Sequence, residues 1–251
     1  MEINFKGKRA LITGGSRGIG FEIVKCLSEN GAEVVFTGTK EESCQSALRE
    51  LERNGNSENI EAVAVDYLDK DNFDSFLAHD EMQKGFDIVV NNAGTNIIKP
   101  FETFEEVDYD KLMDLNFRAP WSITQAVVRG MRQKNYGRIV NISSIWGVIS
   151  KPHRALYTSS KHAILGFTKT LAVEFGKHNV LTNAVSPGFT LTELTKNSLS
   201  TSEMVELGKK VPVNRMAEPI EMARTVAFLA SDLNTYINGQ NIVVDGGFTI
   251  V

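Results

Sequence analysis

Residues 9–20 read Arg9-Ala10-Leu11-Ile12-Thr13-Gly14-Gly15-Ser16-Arg17-Gly18-Ile19-Gly20. The stretch opens nearly all apolar, the pattern of a strand covered by helices on both faces. Three spaced glycines follow, and an amphipathic segment predicts a helix over 18–30. Glycines between a first strand and a first helix let the backbone turn sharply and approach a pyrophosphate, which then rests on free N–H groups at the helix end. The spacing is Gly-x-x-x-Gly-x-Gly rather than the general Gly-x-Gly-x-x-Gly fingerprint. A tight turn without ligand is the plainer reading, but its place at the first strand-to-helix junction argues against it.

Outward from this stretch, apolar β-rich runs alternate with amphipathic ones. Strands are predicted over 9–13, 33–37, 60–65, 87–91, 138–142, 181–185 and 241–244. Helices are predicted over 18–30, 41–54, 70–83, 109–135, 155–178 and 219–231. This alternation predicts an α/β fold: a single-domain, Rossmann-type, doubly wound parallel sheet of about seven strands with helices on both faces. No linker, repeat or low-complexity run divides the 251 residues, so one domain over 1–251 is expected. Residues 190–215 are polar and helix-leaning, consistent with either a substrate lid or a loosely packed surface insertion.

With 27 basic and 31 acidic residues interspersed, the net charge is −4 and no basic face for nucleic acid is suggested. The apolar run at the N-terminus breaks into glycines, which fits neither a signal peptide nor a membrane span. Cys26 and Cys44 fall in predicted helices without metal-like spacing and read as reduced packing residues. His79, His153, His162 and His178 also lack ligand spacing, so no metal site is expected. A cytoplasmic location fits these features.

The chemistry is concentrated in 144–161, SIWGVISKPHRALYTSSK. Tyr157 and Lys161 are four residues apart, one turn along a helix face. A free phenol has a pKa of about 10 and is a poor base at neutral pH. An ammonium one turn away favours the phenolate and is expected to lower that pKa, making Tyr157 a credible general acid/base. Ser144 would hydrogen-bond the substrate oxygen where charge develops. These groups suit interconversion of a carbonyl and an alcohol.

The glycine turn, Asn91-Asn92-Ala93-Gly94, Asn116, Ser144, Tyr157-Thr158-Ser159-Ser160-Lys161, Pro187-Gly188 and the tail Asp245-Gly246-Gly247 together resemble the short-chain dehydrogenases/reductases. The resemblance covers essentially the whole chain and is closest to the 3-oxoacyl-carrier-protein reductase-like branch. It implies a catalytic set of Asn116, Ser144, Tyr157 and Lys161. In that set Tyr157 gives the proton to the ketone oxygen and Ser144 polarises it. Lys161 holds the nicotinamide ribose, and Asn116 supports a water relaying protons to Lys161. It also places Gly14, Ser16, Arg17, Gly18, Ile19 and Gly20 on the cofactor, with Asn92, Ala93 and Gly94 after the fourth strand. Pro187, Gly188 and Thr192 would meet the nicotinamide end, and Asp66 would read the adenine edge.

An acidic residue after the second strand would accept the ribose hydroxyls of NAD and repel a 2′-phosphate. Here that place reads Thr37-Gly38-Thr39-Lys40, with glycine where the acid would stand. Arg17, Thr39 and Lys40 are available to a phosphate instead, which favours NADP(H) over NAD(H).

For the substrate, the branch implies a small molecule or thioester. Arg129 matches a carrier-protein docking position, but His178 stands where a second arginine is usual, so an acyl carrier protein is a weakly supported partner. Arg154 replaces the glutamine of the acyl-reductase pattern, and a planar guanidinium suits a carboxylate or phosphate. It either contacts a sugar or hydroxy-acid derivative or braces the helix start. Trp146 is read as an apolar wall of the pocket or as core. A catalytically silent dinucleotide-binding sensor is the alternative from another class. The helices over 109–135 and 155–178 and the apolar ending at 248–251 resemble elements that assemble homotetramers in this family.

Overall fold

The computed structural model describes residues 2–53, 55 and 59–251. Seven strands form one sheet: β1 Arg9–Ile12, β2 Glu33–Gly38, β3 Ile60–Ala64, β4 Ile88–Asn91, β5 Gly137–Ile142, β6 Val180–Pro187 and β7 Asn241–Val244. Their spatial order is β3-β2-β1-β4-β5-β6-β7, and every neighbouring pair is parallel. The fold predicted from the alternating pattern is the one observed.

Side chains alternate between the two faces because successive Cβ atoms of a strand point opposite ways. Ala10, Ile12, Val34, Phe36, Ile88 and Val90 pack on one face against α1 (Gly18–Glu29), α2 (Glu41–Arg53) and α10 (Pro219–Ala230). Leu11, Val35 and Val89 turn to the other face. There they meet Phe73 and Phe76 of α3 (Lys70–Leu77), Met82 of α4 (Asp80–Lys84), and α6 (Ala119–Lys134). The stripe that α6 contributes, Ala119, Ile123, Val127 and Met131, recurs every fourth residue, as a helix face requires.

Two predicted helices are interrupted. The one over 70–83 stops at Ala78, because His79 adopts an extended backbone (φ −62°, ψ 148°) and accepts the Glu81 N–H at 3.2 Å to start α4. The one over 109–135 begins earlier, as α5 (Glu106–Met113), where the Asp108 carboxylate accepts the Glu105 N–H at 2.9 Å. It then widens into a π turn at Asp114–Arg118 before α6. Pro120 explains the widening: it has no N–H to close an α turn on the Asn116 carbonyl. The Ala119 N–H reaches back five residues to Asp114 instead.

The helix predicted over 41–54 ends at Arg53 in α2; residue 54 lies outside the described residues. The helix predicted over 155–178 is α7 (Ala155–Phe175) followed by a 3-10 turn at Gly176–His178. Residues 190–215 hold α8 (Glu193–Ser198) and α9 (Thr201–Lys209). The ends of this segment are pinned together by Thr190 bridging to Ala217, with the Leu191 N–H donating to the Ala217 carbonyl at 2.8 Å. Among the described residues no helix is long and apolar enough to cross a membrane.

Candidate functional site

Strand order reverses between β1 and β4, and chain connections leave these neighbours in opposite directions. A crevice must open at their carboxyl ends. A cleft of about 340 Å³ lies there. Its floor is stitched from both strands. The Asn92 amide donates to the carbonyls of Thr13 (2.9 Å) and Gly14 (3.0 Å), while Thr13 Oγ1 accepts the N–H groups of Asn92 and Ala93, both at 2.9 Å. Gly14 sits at φ +66°, and a methyl group on residue 20 would be driven into the Gly14 carbonyl and to 2.5 Å from Asn92 Nδ2.

The first bond of α1 runs from the Phe21 N–H to the Arg17 carbonyl at 3.2 Å. The N–H groups of Gly18, Ile19 and Gly20 therefore have no helical acceptor, and no acidic side chain stands in the first turn. Donors, positive helix end and glycine cradle all fit a dinucleotide pyrophosphate.

Towards one end the cleft is walled by Ser16, Arg17, Gly38, Thr39 and Tyr67. The Tyr67 hydroxyl is 2.8 Å from Thr37 Oγ1, which also accepts the Gly14 N–H at 3.1 Å; burial pushes this phenol well up. A Cβ on Gly38 would stand 2.8 Å from Cys44 Sγ and 3.0 Å from Ser16 Oγ. Of the residues singled out by sequence, Lys40, Asp66, Asn116, Trp146 and Arg154 do not line the cleft. Lys40 is exposed beyond Thr39, and the Asp66 carboxylate is turned to the Leu68 N–H at 3.0 Å, bracing the turn after β3.

At the other end Ser144, Tyr157 and Lys161 meet Pro187, Gly188 and Thr192. Lys161 Nζ donates to the Ile142 carbonyl at 2.9 Å and lies 5.7 Å from the Tyr157 ring centre. Burial lowers the Lys161 ammonium to about 8. The expected lowering of the Tyr157 pKa by Lys161 is not what this structure shows. Burial raises the phenol above its ordinary value, opposed by the Ser144 hydroxyl and the Arg154 guanidinium. The reason is the burial of the phenol itself, which penalises its charged form.

Asn116 lies behind the cleft rather than on its wall. Its amide donates to the Thr95 carbonyl (2.9 Å) and Ser160 Oγ (3.0 Å), and its Oδ1 accepts the Thr95 N–H (2.9 Å). Trp146 is 8 % exposed, with its ring edge-on to Phe189. The Arg154 guanidinium and Lys151 Nζ sit 5.5 and 5.3 Å from the Trp146 ring centre. Arg154 occupies the N-cap of α7 and makes no side-chain cap bond there.

Thr37, Tyr67, Thr95, Asn96, Glu193 and Thr195 also line the cleft and were not singled out by sequence. Most flank residues that were. Position just beyond a strand's carboxyl end was the available signal.

A family model described as Enoyl-(Acyl carrier protein) reductase matches residues 14–249. A gluconate 5-dehydrogenase of Gluconobacter oxydans is 36% identical over 249 residues, covering 98% of this chain and 96% of that protein. A 3-oxoacyl-acyl-carrier-protein reductase of Vibrio cholerae is 36% identical over 257 residues, covering 99% and 100%. The crystal structure of a Burkholderia cenocepacia gluconate 5-dehydrogenase in complex with NADP and tartrate superposes with a TM-score of 0.89 at 30% identity, covering 99% of this chain and 97% of that one.

Proposed function

Because the chain belongs to the short-chain dehydrogenase/reductase family of NAD(P)-dependent oxidoreductases, we propose that it interconverts a ketone and a secondary alcohol with NADP(H). One observation carries the reading: Ser144, Tyr157 and Lys161 share a cleft wall with the glycine cradle. When bound, the nicotinamide supplies or accepts the hydride. In reduction the Tyr157 O–H gives its proton to the substrate oxygen, and in oxidation the phenolate takes it back. Ser144 holds that oxygen, and together with the Arg154 charge it favours the phenolate. Lys161 holds the ribose. Asn116 positions the loop at Thr95 through its side chain, beside the water-supporting task that the resemblance implies.

NADP(H) is favoured because residue 38 carries no carboxylate and Arg17 is exposed at the cleft rim. Two solved relatives hold NADP. The pinned segment carrying α8 and α9 acts as a lid, since Thr190, Thr192, Glu193 and Thr195 line the cleft from its hinge.

A polar or anionic substrate is preferred, on the Arg154 charge that acts on Tyr157 and the Lys151 charge that shares the Trp146 ring with it. The second reading, a 3-oxoacyl thioester, is supported by the acyl-reductase relatives and by exposed Arg129 as a carrier-protein contact. A homotetramer is supported by the exposed Val173 of α7 and the exposed ends Ile250 and Val251. The test is NADPH consumption against β-ketoacyl thioesters, free β-keto acids and keto-sugars beside a Tyr157→Phe control. Turnover lost in the control supports the enzyme. Turnover on none of them, with NADPH still bound, would leave the silent sensor standing.

A further inference from the structure

Tyr67 and Thr37 share one hydrogen bond but carry two hydroxyl protons. Their oxygens are 2.8 Å apart, and Thr37 Oγ1 also accepts the Gly14 N–H at 3.1 Å. Among the described residues neither hydroxyl makes another bond. A hydroxyl has a single proton to donate. Whichever of the two donates across the shared bond, the proton of the other is left without a protein acceptor.

Position decides which proton is spare. Thr37 has no exposed surface, whereas Tyr67 keeps 8 % and stands on the cleft wall with Ser16, Arg17, Gly38 and Thr39. An enclosed donor without an acceptor is costly, so Thr37 donates to the phenol oxygen and the Tyr67 O–H turns to the cleft. The ring cannot swing elsewhere. Phe73 and Phe76 stand edge-on to it, with ring centres 5.1 and 6.4 Å away, and fix its axis in the core on the α3 side. Burial keeps this phenol protonated, so it remains a donor at any working pH.

We propose that Tyr67 is a cofactor-binding residue whose O–H donates to an uncharged acceptor on the adenosine half of the dinucleotide, a ring nitrogen or a ribose oxygen. This rests on the dinucleotide reading of the cleft and adds a contact at the end away from Tyr157. The phosphates have donors of their own in Arg17 and the free N–H groups of α1. Because Thr37 also holds the Gly14 N–H, the same chain of bonds ties the adenosine to the glycine turn.

The test is a calorimetric titration with adenosine 2′,5′-bisphosphate, the adenosine half of NADP, on wild type, Tyr67→Phe, Thr37→Val and the double variant. Tyr67→Phe is expected to weaken binding about five- to tenfold. A brace on Thr37 alone would have nothing left to hold in the Thr37→Val background, so the contact predicts the same loss there. Affinity within about twofold of wild type in Tyr67→Phe overturns the proposal, as does a loss that vanishes when Thr37 is already Val. Should a variant fail to fold, wild type with its five tyrosines labelled at Cζ for magnetic resonance decides the matter. Tyr109, Tyr136 and Tyr236 lie off the cleft wall, and Tyr157 is at its other end. One resonance that moves with the bisphosphate supports the contact; five that stay still overturn it. Wild type that binds neither the bisphosphate nor NADPH removes the dinucleotide reading and the contact together.

Discussion

The side-chain amide of Asn116 and the backbone of Thr95 hold each other in both directions, N–H to oxygen, at 2.9 Å each way. Asn116 is 1 % exposed. The loop after β4 is thus hung from the π turn ahead of α6, and a third bond ties it to Ser160 on α7. Asn116→Ala would leave the Thr95 groups without these partners, at about 1–3 kcal/mol. At about 2–4 °C per kcal/mol for a chain of this size, the melting temperature should fall by several degrees. kcat should fall with it while NADPH affinity changes little. Thermal melts and steady-state kinetics check this, and an unchanged kcat would show that Thr95 does not need the clamp.

Lys161 carries an opposite bargain between stability and function. Its folded pKa of about 8 lies below the ordinary value of 10.5. Below about 8 the lysine is charged in both folded and unfolded chains, and its burial destabilises the fold in full. Between about 8 and 10.5 the unfolded chain holds the extra proton, so stability rises with pH across that window. Lys161→Met should therefore stabilise the cofactor-free protein at pH 7 by about 1–3 kcal/mol after its lost bond to Ile142 is counted, and abolish turnover. The stability difference should shrink as pH approaches 10.5. Urea unfolding at several pH values measures it.

Cofactor choice is wedged in place by packing. An acidic side chain at residue 38 would begin with its Cβ 2.8 Å from Cys44 Sγ. Gly38→Asp alone should destabilise the protein by about 1–3 kcal/mol and weaken NADPH without admitting NADH. Adding Cys44→Ala should restore stability and open binding to NADH. Fluorescence titrations with both cofactors decide it; a single Gly38→Asp variant that binds NADH with an unchanged melt would show that Cys44 is no obstacle.

At the far end of the sheet, Glu81 is buried between Arg9 and Lys84, and Arg9 also reaches Glu33 at 2.6 Å. The bond from Lys84 and the Arg9 charge hold the Glu81 carboxyl below its ordinary range, against the opposing effect of burial. Its stabilisation is complete above the ordinary carboxylate pKa and is lost as pH falls through the folded value. Glu81→Gln should cost about 1–3 kcal/mol at pH 7, because it leaves the half-buried Arg9 with Glu33 as its remaining counter-charge. The gap to wild type should narrow in acid. A gap that widens as pH falls would contradict this.

How much of this was legible in the sequence depended on range. The β1–glycine–α1 passage and the Tyr157/Lys161 spacing are local, so residue order alone specifies them. The break at His79 and the π turn are also local in origin, yet a helical pattern of apolar residues runs through both and masks them; Pro120 was the visible clue. The direction of the Tyr157 shift was not legible. It depends on how deeply β5, α7 and the Ser144 loop bury the phenol, and no spacing encodes that depth. Tyr67 was passed over for a related reason. It follows Asp66, to which the resemblance assigns a role, and only its bond to Thr37 in the folded chain makes it conspicuous.

The π turn at Asp114–Arg118 makes one residue the difference between scaffold and site. A π turn is an α-helix with a single extra residue, so deleting one position there would let α5 and α6 run as an unbroken helix. The sheet and both cores would persist. Because the wide turn absorbs its extra residue locally, the flanking helices would keep their faces and the change would fall on the turn itself, carrying the Asn116 amide away from Thr95. In a lineage of such chains, a one-codon loss could retire the activity and spare the fold.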